Sequence, residues 1–297
     1  MKLNRLLNDI LIAEGLRPDE RHVAEKLRYL RPYLKDLRKS YKTLSQVSVD
    51  YSNKSTQLAY LIGYYPYYAE ATFEVLSRLS PKLHSELEVS LVGGGCCPEI
   101  FSILKYMQVS SLQLRFSVKS YDIYAREWEF SRSIARKNTQ SYFQSSSIKH
   151  DFIKYDFTKI NQSQISEISK GNFIIFQNCF NEADPSTHSS IIKNVENILV
   201  SSLKNKYETS SKKHILVVDF SGYGEVKKLF NEVHHTAVDL REKHKINSLG
   251  IIRDDLNLDL ARIRSGIPEI ISNELLTGES GLIARRNLNL TYMYFKI

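Results

Sequence analysis

The sequence predicts an α/β protein: a mostly parallel sheet covered by helices on both faces, with a helical region in front of it. Three observations carry this expectation. From about residue 85 onward, short apolar runs alternate with longer helical patterns, the order that builds β–α–β units. The run Glu88-Val-Ser-Leu-Val ends in Gly93, Gly94 and Gly95, and Cys96-Cys97-Pro98-Glu99 leads into an apolar segment that reaches Met107. Finally, Leu288 to Ile297 alternates as a strand does and ends the chain.

Taken in order, residues 1–84 read as a helical region and residues 85–297 as the sheet domain. Val23, Leu27, Leu30, Leu34, Leu37, Tyr41 and Leu44 are spaced alternately four and three apart, which is a helix seam that packs against something. Pro32 falls inside this pattern and predicts a kink or two helices. Beside the seam runs a basic stripe of Arg28, Arg31, Lys35, Arg38 and Lys42. It reads either as a solvated face or as a surface for a phosphate backbone. Tyr60, Tyr64, Tyr65, Tyr67 and Tyr68 surround Gly63 and Pro66, and Pro66 is a predicted helix boundary. Such a cluster packs a helix pair onto a domain, or it covers a flat ligand. Ser80-Pro-Lys-Leu-His-Ser is the boundary before the sheet.

The glycine turn reads as strand, tight turn and helix opening. Pro98 suits a first helical position, and glycines let backbone approach a ligand closely. A second strand runs from Leu112 to Tyr121 and ends in Asp122; a helix spans Arg126 to Lys137 and a polar loop Arg136 to Ser147. A third strand, Ile148 to Tyr155, ends in Asp156-Phe157. A fourth, Asn172 to Gln177, is followed by Asn178-Cys-Phe-Asn-Glu182, and Ser189 to Leu203 is a helix. Lys213 to Asp219 is a fifth strand, Phe230 to Lys245 is a helix, and residues 246–280 are mixed.

The composition is that of a soluble globular protein. No apolar run approaches a membrane span, and the first residues lack the apolar core of a signal peptide. Cys96, Cys97 and Cys179 form no disulfide framework and no zinc spacing, so a reducing, cytoplasmic setting is expected. His234 and His235 are adjacent and diverge on a helix, so no metal site is expected. The net charge is +8, and residues 1–84 hold 14 Lys and Arg against 9 Asp and Glu. That front-loaded excess favours an anionic partner there.

The series of glycine turn, Asp122, Asp156-Phe157 and closing strand resembles the class I S-adenosylmethionine-dependent methyltransferases, over about residues 85–297. The resemblance implies a Rossmann-like, mostly parallel sheet with a closing C-terminal antiparallel strand. It also implies S-adenosylmethionine as cofactor, with Gly93, Gly94 and Gly95 under its methionine part. Asp122 would hold the ribose, Asp156 would face the adenine amino group, and Phe157 would lie against the ring. Leu91 stands where the family often has an acid, and Cys97 where a third spaced glycine is common. Glu99 is then the residue that supplies an acceptor to the cofactor's amino group. After strand four, Asn178 and Asn181 would orient an acceptor and Phe180 would stack on a flat one. The helical front end with its Tyr-Pro-Tyr-Tyr-Ala segment is similar to that of ribosomal small-subunit methyltransferase-like proteins.

The expected function is therefore a methyltransferase acting on RNA, ribosomal RNA included, with the basic helical front end as its platform. Two alternatives stand beside it: a small-molecule acceptor, with the front helices as a lid, and a methyltransferase fold kept as a non-catalytic binding or assembly module.

Overall fold

The computed structural model describes residues 3–41, 49–83, 85–112, 115–143, 148–209 (backbone only at 206–209), 212–222, 224–278 and 282–297. Four helices come first: α1 (Leu3–Ala13), α2 (Glu20–Ser40), α3 (Lys54–Gly63) and α4 (Tyr65–Leu79). Asp19 caps α2 by accepting from the His22 N–H at 2.9 Å, and Val23, Leu27, Leu30, Leu34 and Leu37 are buried as one seam. Of the expected kink or pair of helices, the pair is not formed: α2 continues through Pro32 as one helix. Pro32 faces solvent, so the carbonyl that its ring leaves unpaired can turn to water while the seam stays in register. Pro66 lies in the first turn of α4, the position where proline costs no hydrogen bond. Leu44 and Lys42 lie outside the described residues.

The remaining elements are β1 (Glu86–Val92), α5 (Pro98–Val109), β2 (Arg115–Asp122), α6 (Glu129–Phe143), β3 (Lys149–Lys154), α7 (Gln162–Ile168), β4 (Phe173–Gln177), α8 (His188–Thr209), β5 (His214–Phe220), α9 (Gly224–Lys243), β6 (Gly250–Asp259), α10 (Ala261–Ser265), α11 (Glu269–Glu274) and β7 (Asn287–Lys296). Two elements differ from expectation. The polar stretch after Arg136 continues α6 to Phe143, because Ile134, Ala135, Asn138 and Thr139 carry a buried helical stripe that packs on α1. The mixed region hides β6, whose Arg253, Asp254 and Asp255 mask the apolar pattern. Those charges suit an edge strand, where they discourage pairing with another chain.

The seven strands are ordered β3-β2-β1-β4-β5-β7-β6. β1 to β5 run parallel, and β7 is antiparallel to both neighbours. The expected doubly covered α/β sheet with a closing antiparallel strand is therefore present. Alternation along the central strands divides the core. Phe173, Ile175, Leu216 and Val218 face the apolar cluster that includes α1 to α6, whereas Ile174, Phe176, Ile215 and Val217 face the cluster of α7 to α9. Among the described residues no helix is long and apolar enough to cross a membrane.

Candidate functional site

β1 and β4 are neighbours although β2 and β3 intervene in sequence. The chain therefore leaves these two strands in opposite directions, and a crevice opens beyond their carboxyl ends. A cleft of about 410 Å³ occupies that place. Its lining brings together Gly93, Gly95, Asp122, Asp156, Phe157 and Asn178, as well as aromatic residues from the front helices and the start of α6.

The glycine turn is shaped by its backbone. Gly93 has φ +68°, and a Cβ there would lie 2.7 Å from Cys179 Cβ. Its N–H donates to the Tyr121 carbonyl at 2.8 Å, which ties the end of β1 to β2. Gly95 has φ +47°, and its N–H donates to Asp122 Oδ2 at 2.9 Å. The Trp128 indole lies over it, 3.4 Å from where a Cβ would stand. Gly94 is turned away, toward Ser120, and is not part of the cleft lining.

Asp122 Oδ1 also accepts the Tyr124 N–H at 2.7 Å. Burial raises this carboxyl above its usual range, and the two backbone donors oppose the rise. Both oxygens keep a further lone pair, enough for two external donors. Asp156 Oδ1 accepts from the backbone N–H and hydroxyl of Thr158 at 3.0 and 2.6 Å. Its Oδ2 lies 3.6 Å from Lys159 Nζ. Phe157 is held edge-on against Phe176 at 5.2 Å between ring centres.

Besides Gly94, three expected site residues stand elsewhere. Glu99 is buried behind the turn, at 2% exposure, and does not line the cleft. Its Oε2 has no hydrogen-bond partner among the described residues, and burial pushes its carboxyl up to about 8. Phe180 is a core residue, packed between Phe176 and Phe230, so it has no face for an acceptor. Asn181 also lies outside the lining. The cause is Asp219 at the end of β5, whose Oδ2 accepts the N–H groups of Phe180 and Asn181 at 2.9 and 3.1 Å and draws the loop inward. Burial raises this carboxyl to about 7.

What the loop presents instead is Glu182. Glu182 Oε1 accepts from the Tyr41 hydroxyl and, at 3.2 Å, from the Tyr51 hydroxyl. The two hydroxyls are 2.8 Å apart. Burial raises the Glu182 carboxyl to about 7. Tyr51 packs on Trp128 at 4.7 Å, and Tyr60 meets the same indole edge-on at 5.3 Å. Gln57 fixes this wall, donating to the Tyr51 carbonyl at 2.7 Å and also to the Glu127 carbonyl. Sequence reasoning missed Glu182, Tyr51 and Trp128 as site residues, whereas Tyr60 belongs to the tyrosine cluster read as packing a helix pair or covering a flat ligand. The available signal was an acid in the loop at the end of strand four, five residues after Gln177.

The basic stripe is largely engaged within the chain. Arg28 and Arg31 lie 3.3 and 3.5 Å from Glu274 of α11. Arg38 donates to the Ile283 carbonyl at 2.7 Å, and Lys35 is exposed. Among the described residues no cluster of His, Cys, Asp and Glu suits a metal ion.

No family model matches the chain, and no curated protein matches its sequence. Solved structures that resemble it include the plantazolicin methyltransferase BpumL in complex with a pentazolic desmethylPZN analog and SAH, at 13% identity over 92% of this chain and 98% of that one, TM-score 0.40. The YcgJ protein of Bacillus subtilis is 13% identical over 76% of this chain and 98% of its own, TM-score 0.37. A SAM-dependent methyltransferase from Agrobacterium tumefaciens is 9% identical over 77% and 61%, TM-score 0.41. At such low identities and TM-scores these likenesses add nothing about the site. By its own strand order and register, the chain has the class I methyltransferase fold.

Proposed function

We propose that this protein is an S-adenosylmethionine-dependent methyltransferase. One observation carries the reading: three segments far apart in sequence, the glycine turn, Asp122 and Asp156-Phe157, line one cleft at the switch point of the sheet. The donor set fits the cofactor. Asp122 retains acceptor capacity for ribose hydroxyls, Asp156 is an acceptor beside an aromatic ring for an adenine amino group, and the backbone at Gly93 and Gly95 is free of side chains. S-adenosylmethionine supplies a methyl group already activated on a sulfonium, so the protein's part is alignment and exclusion of water. Calorimetric titration with S-adenosylhomocysteine tests this, with saturable one-site binding expected. No heat at millimolar ligand would overturn it. Asp122→Asn removes one acceptor and should weaken binding by about 1–3 kcal/mol; an unchanged affinity would remove the ribose assignment.

RNA is the acceptor we propose on the strength of the front-loaded positive charge. A small-molecule acceptor is the second reading, favoured by the pairing of Arg28 and Arg31 with Glu274. Salt-sensitive RNA binding that weakens in a Lys35→Glu variant supports the first. Methyl transfer to a metabolite fraction, with RNA unlabelled, supports the second. Cofactor binding without transfer to any fraction would leave a non-catalytic module.

A further inference from the structure

We propose that the end of the cleft formed by Gln177, Asn178 and Glu182 is the acceptor subsite, that it takes an amino group, and that Glu182 receives the proton released on transfer. The inference rests on the methyltransferase reading above and goes on to name the acceptor's chemistry.

Gln177 is 3% exposed and lines the cleft. Its Nε2 donates to the Tyr68 carbonyl at 2.8 Å, which fixes the orientation of the amide. Oε1 is thereby committed as an acceptor, and among the described residues it has no partner. Asn178 is 6% exposed and lines the cleft, and its Oδ1 has no partner either. The third group is the Glu182 carboxyl, which receives both tyrosine hydroxyls on Oε1. A buried acceptor left unmatched costs about 1–3 kcal/mol, so a cleft lined by two such residues and a carboxylate is built for a ligand that donates. An amino group offers several N–H donors at one atom; a hydroxyl offers one. Among the described residues no Lys or Arg lines the cleft to compete for these acceptors. The Tyr51, Tyr60 and Trp128 rings form an apolar wall for the body of the acceptor.

The step balances. The nitrogen lone pair forms the new C–N bond to the methyl carbon. The C–S bond breaks and its electron pair stays on sulfur. The proton released from nitrogen passes to the Glu182 carboxylate and from there to solvent. Burial holds this carboxyl at about 7, where a base both accepts and releases a proton readily.

Two measurements on the full chain test the proposal. First, the chain saturated with S-adenosylhomocysteine is titrated with benzylamine and with benzyl alcohol, followed by the fluorescence of Trp128, the single tryptophan. Benzylamine should bind at least tenfold more tightly, and Glu182→Gln should abolish the difference. Equal affinities, or no detectable binding of either probe, would overturn the proposal. Second, tritiated-methyl S-adenosylmethionine is incubated with separate RNA, protein and small-molecule fractions of a cell extract, and the labelled product is hydrolysed. Label on nitrogen is expected, and the labelled fraction identifies the source of the amine; label on oxygen or carbon would overturn the proposal. Glu182→Gln should lower the labelling rate about 100-fold while its affinity for S-adenosylhomocysteine stays within threefold, which also shows that the variant is folded. Tyr51→Phe, which keeps the ring and removes one donor to Glu182, should lower the rate less. Failure of the wild-type chain to bind S-adenosylhomocysteine would overturn the methyltransferase reading and this inference together. Binding with label on another element would overturn this inference alone.

Discussion

At the scale of single residues, Gly93 joins the two loops that make the cleft. Its backbone has φ +68°, and a methyl group there would meet Cys179 Cβ at 2.7 Å. Gly93→Ala therefore fails for two separable reasons, conformational strain and collision. We expect it to cost about 2 kcal/mol or more in denaturant unfolding and to abolish S-adenosylhomocysteine binding. Adding Cys179→Gly removes the collision and leaves the strain, so the double variant should recover part of the stability. If it is no more stable than Gly93→Ala, collision is not a cause. The glycine was legible in the sequence, as were Asp122 and Asp156, because a turn or an acid at a strand end is local information. Glu182 and Tyr41 were not legible as a pair, since they are 141 residues apart and meet only when the front helices close over the sheet. Glu99 and Phe180 were misread for the converse reason. Sequence position puts them near the cleft, but it does not say which way a side chain points once Asp219 has drawn in the neighbouring loop.

At the scale of elements, α2 and α3 approach closely because Gly63 leaves room for Leu34. A Cβ on Gly63 would collide with Leu34 Cδ1, and Leu34 is fully buried. Leu34→Ala should cost about 2–5 kcal/mol, as large-to-small core changes do. Gly63→Ala alone should also destabilise, because Leu34 must leave its place. In the Leu34→Ala background the added methyl fills the vacated space, so the two costs should add to less than their sum by about 1 kcal/mol or more. Strict additivity in a double-mutant cycle would show that the helices do not pack through this pair. The leucine seam of α2 was readable from its spacing, whereas the partners of its basic stripe were not. Glu274, which takes Arg28 and Arg31, sits on a six-residue helix more than 240 positions away. β6 was missed because an edge strand wears charges that a buried strand would not.

At the scale of the whole molecule, three acids whose carboxyls are raised by burial make stability depend on pH. Glu99, Glu182 and Asp219 are raised by burial to about 8, 7 and 7. A folded-state pKa above the unfolded value means that the folded chain holds its proton longer. The stabilising difference is complete below the unfolded pKa and is lost as pH rises through the folded one. Two other groups with shifted pKa values bear on the window above pH 7. His150, lowered by burial to about 3, is uncharged in the folded chain there, and Lys213, lowered to about 8, gives up part of its proton in the folded chain over the same interval, which offsets only part of the fall from the three acids. The melting temperature should therefore fall between about pH 7 and pH 8, with Glu99 still titrating across that interval after the other two acids have largely ionised. Glu99→Gln cannot ionise. Its advantage over the wild type should grow by roughly 1 kcal/mol across this interval, since one pKa unit is worth about 1.4 kcal/mol. For a chain of this size that corresponds to about 3 °C in melting temperature. Parallel melting curves for wild type and variant across the interval would show that Glu99 is already ionised in the folded protein. A partner for its unmatched Oε2 would then have to exist behind the glycine turn.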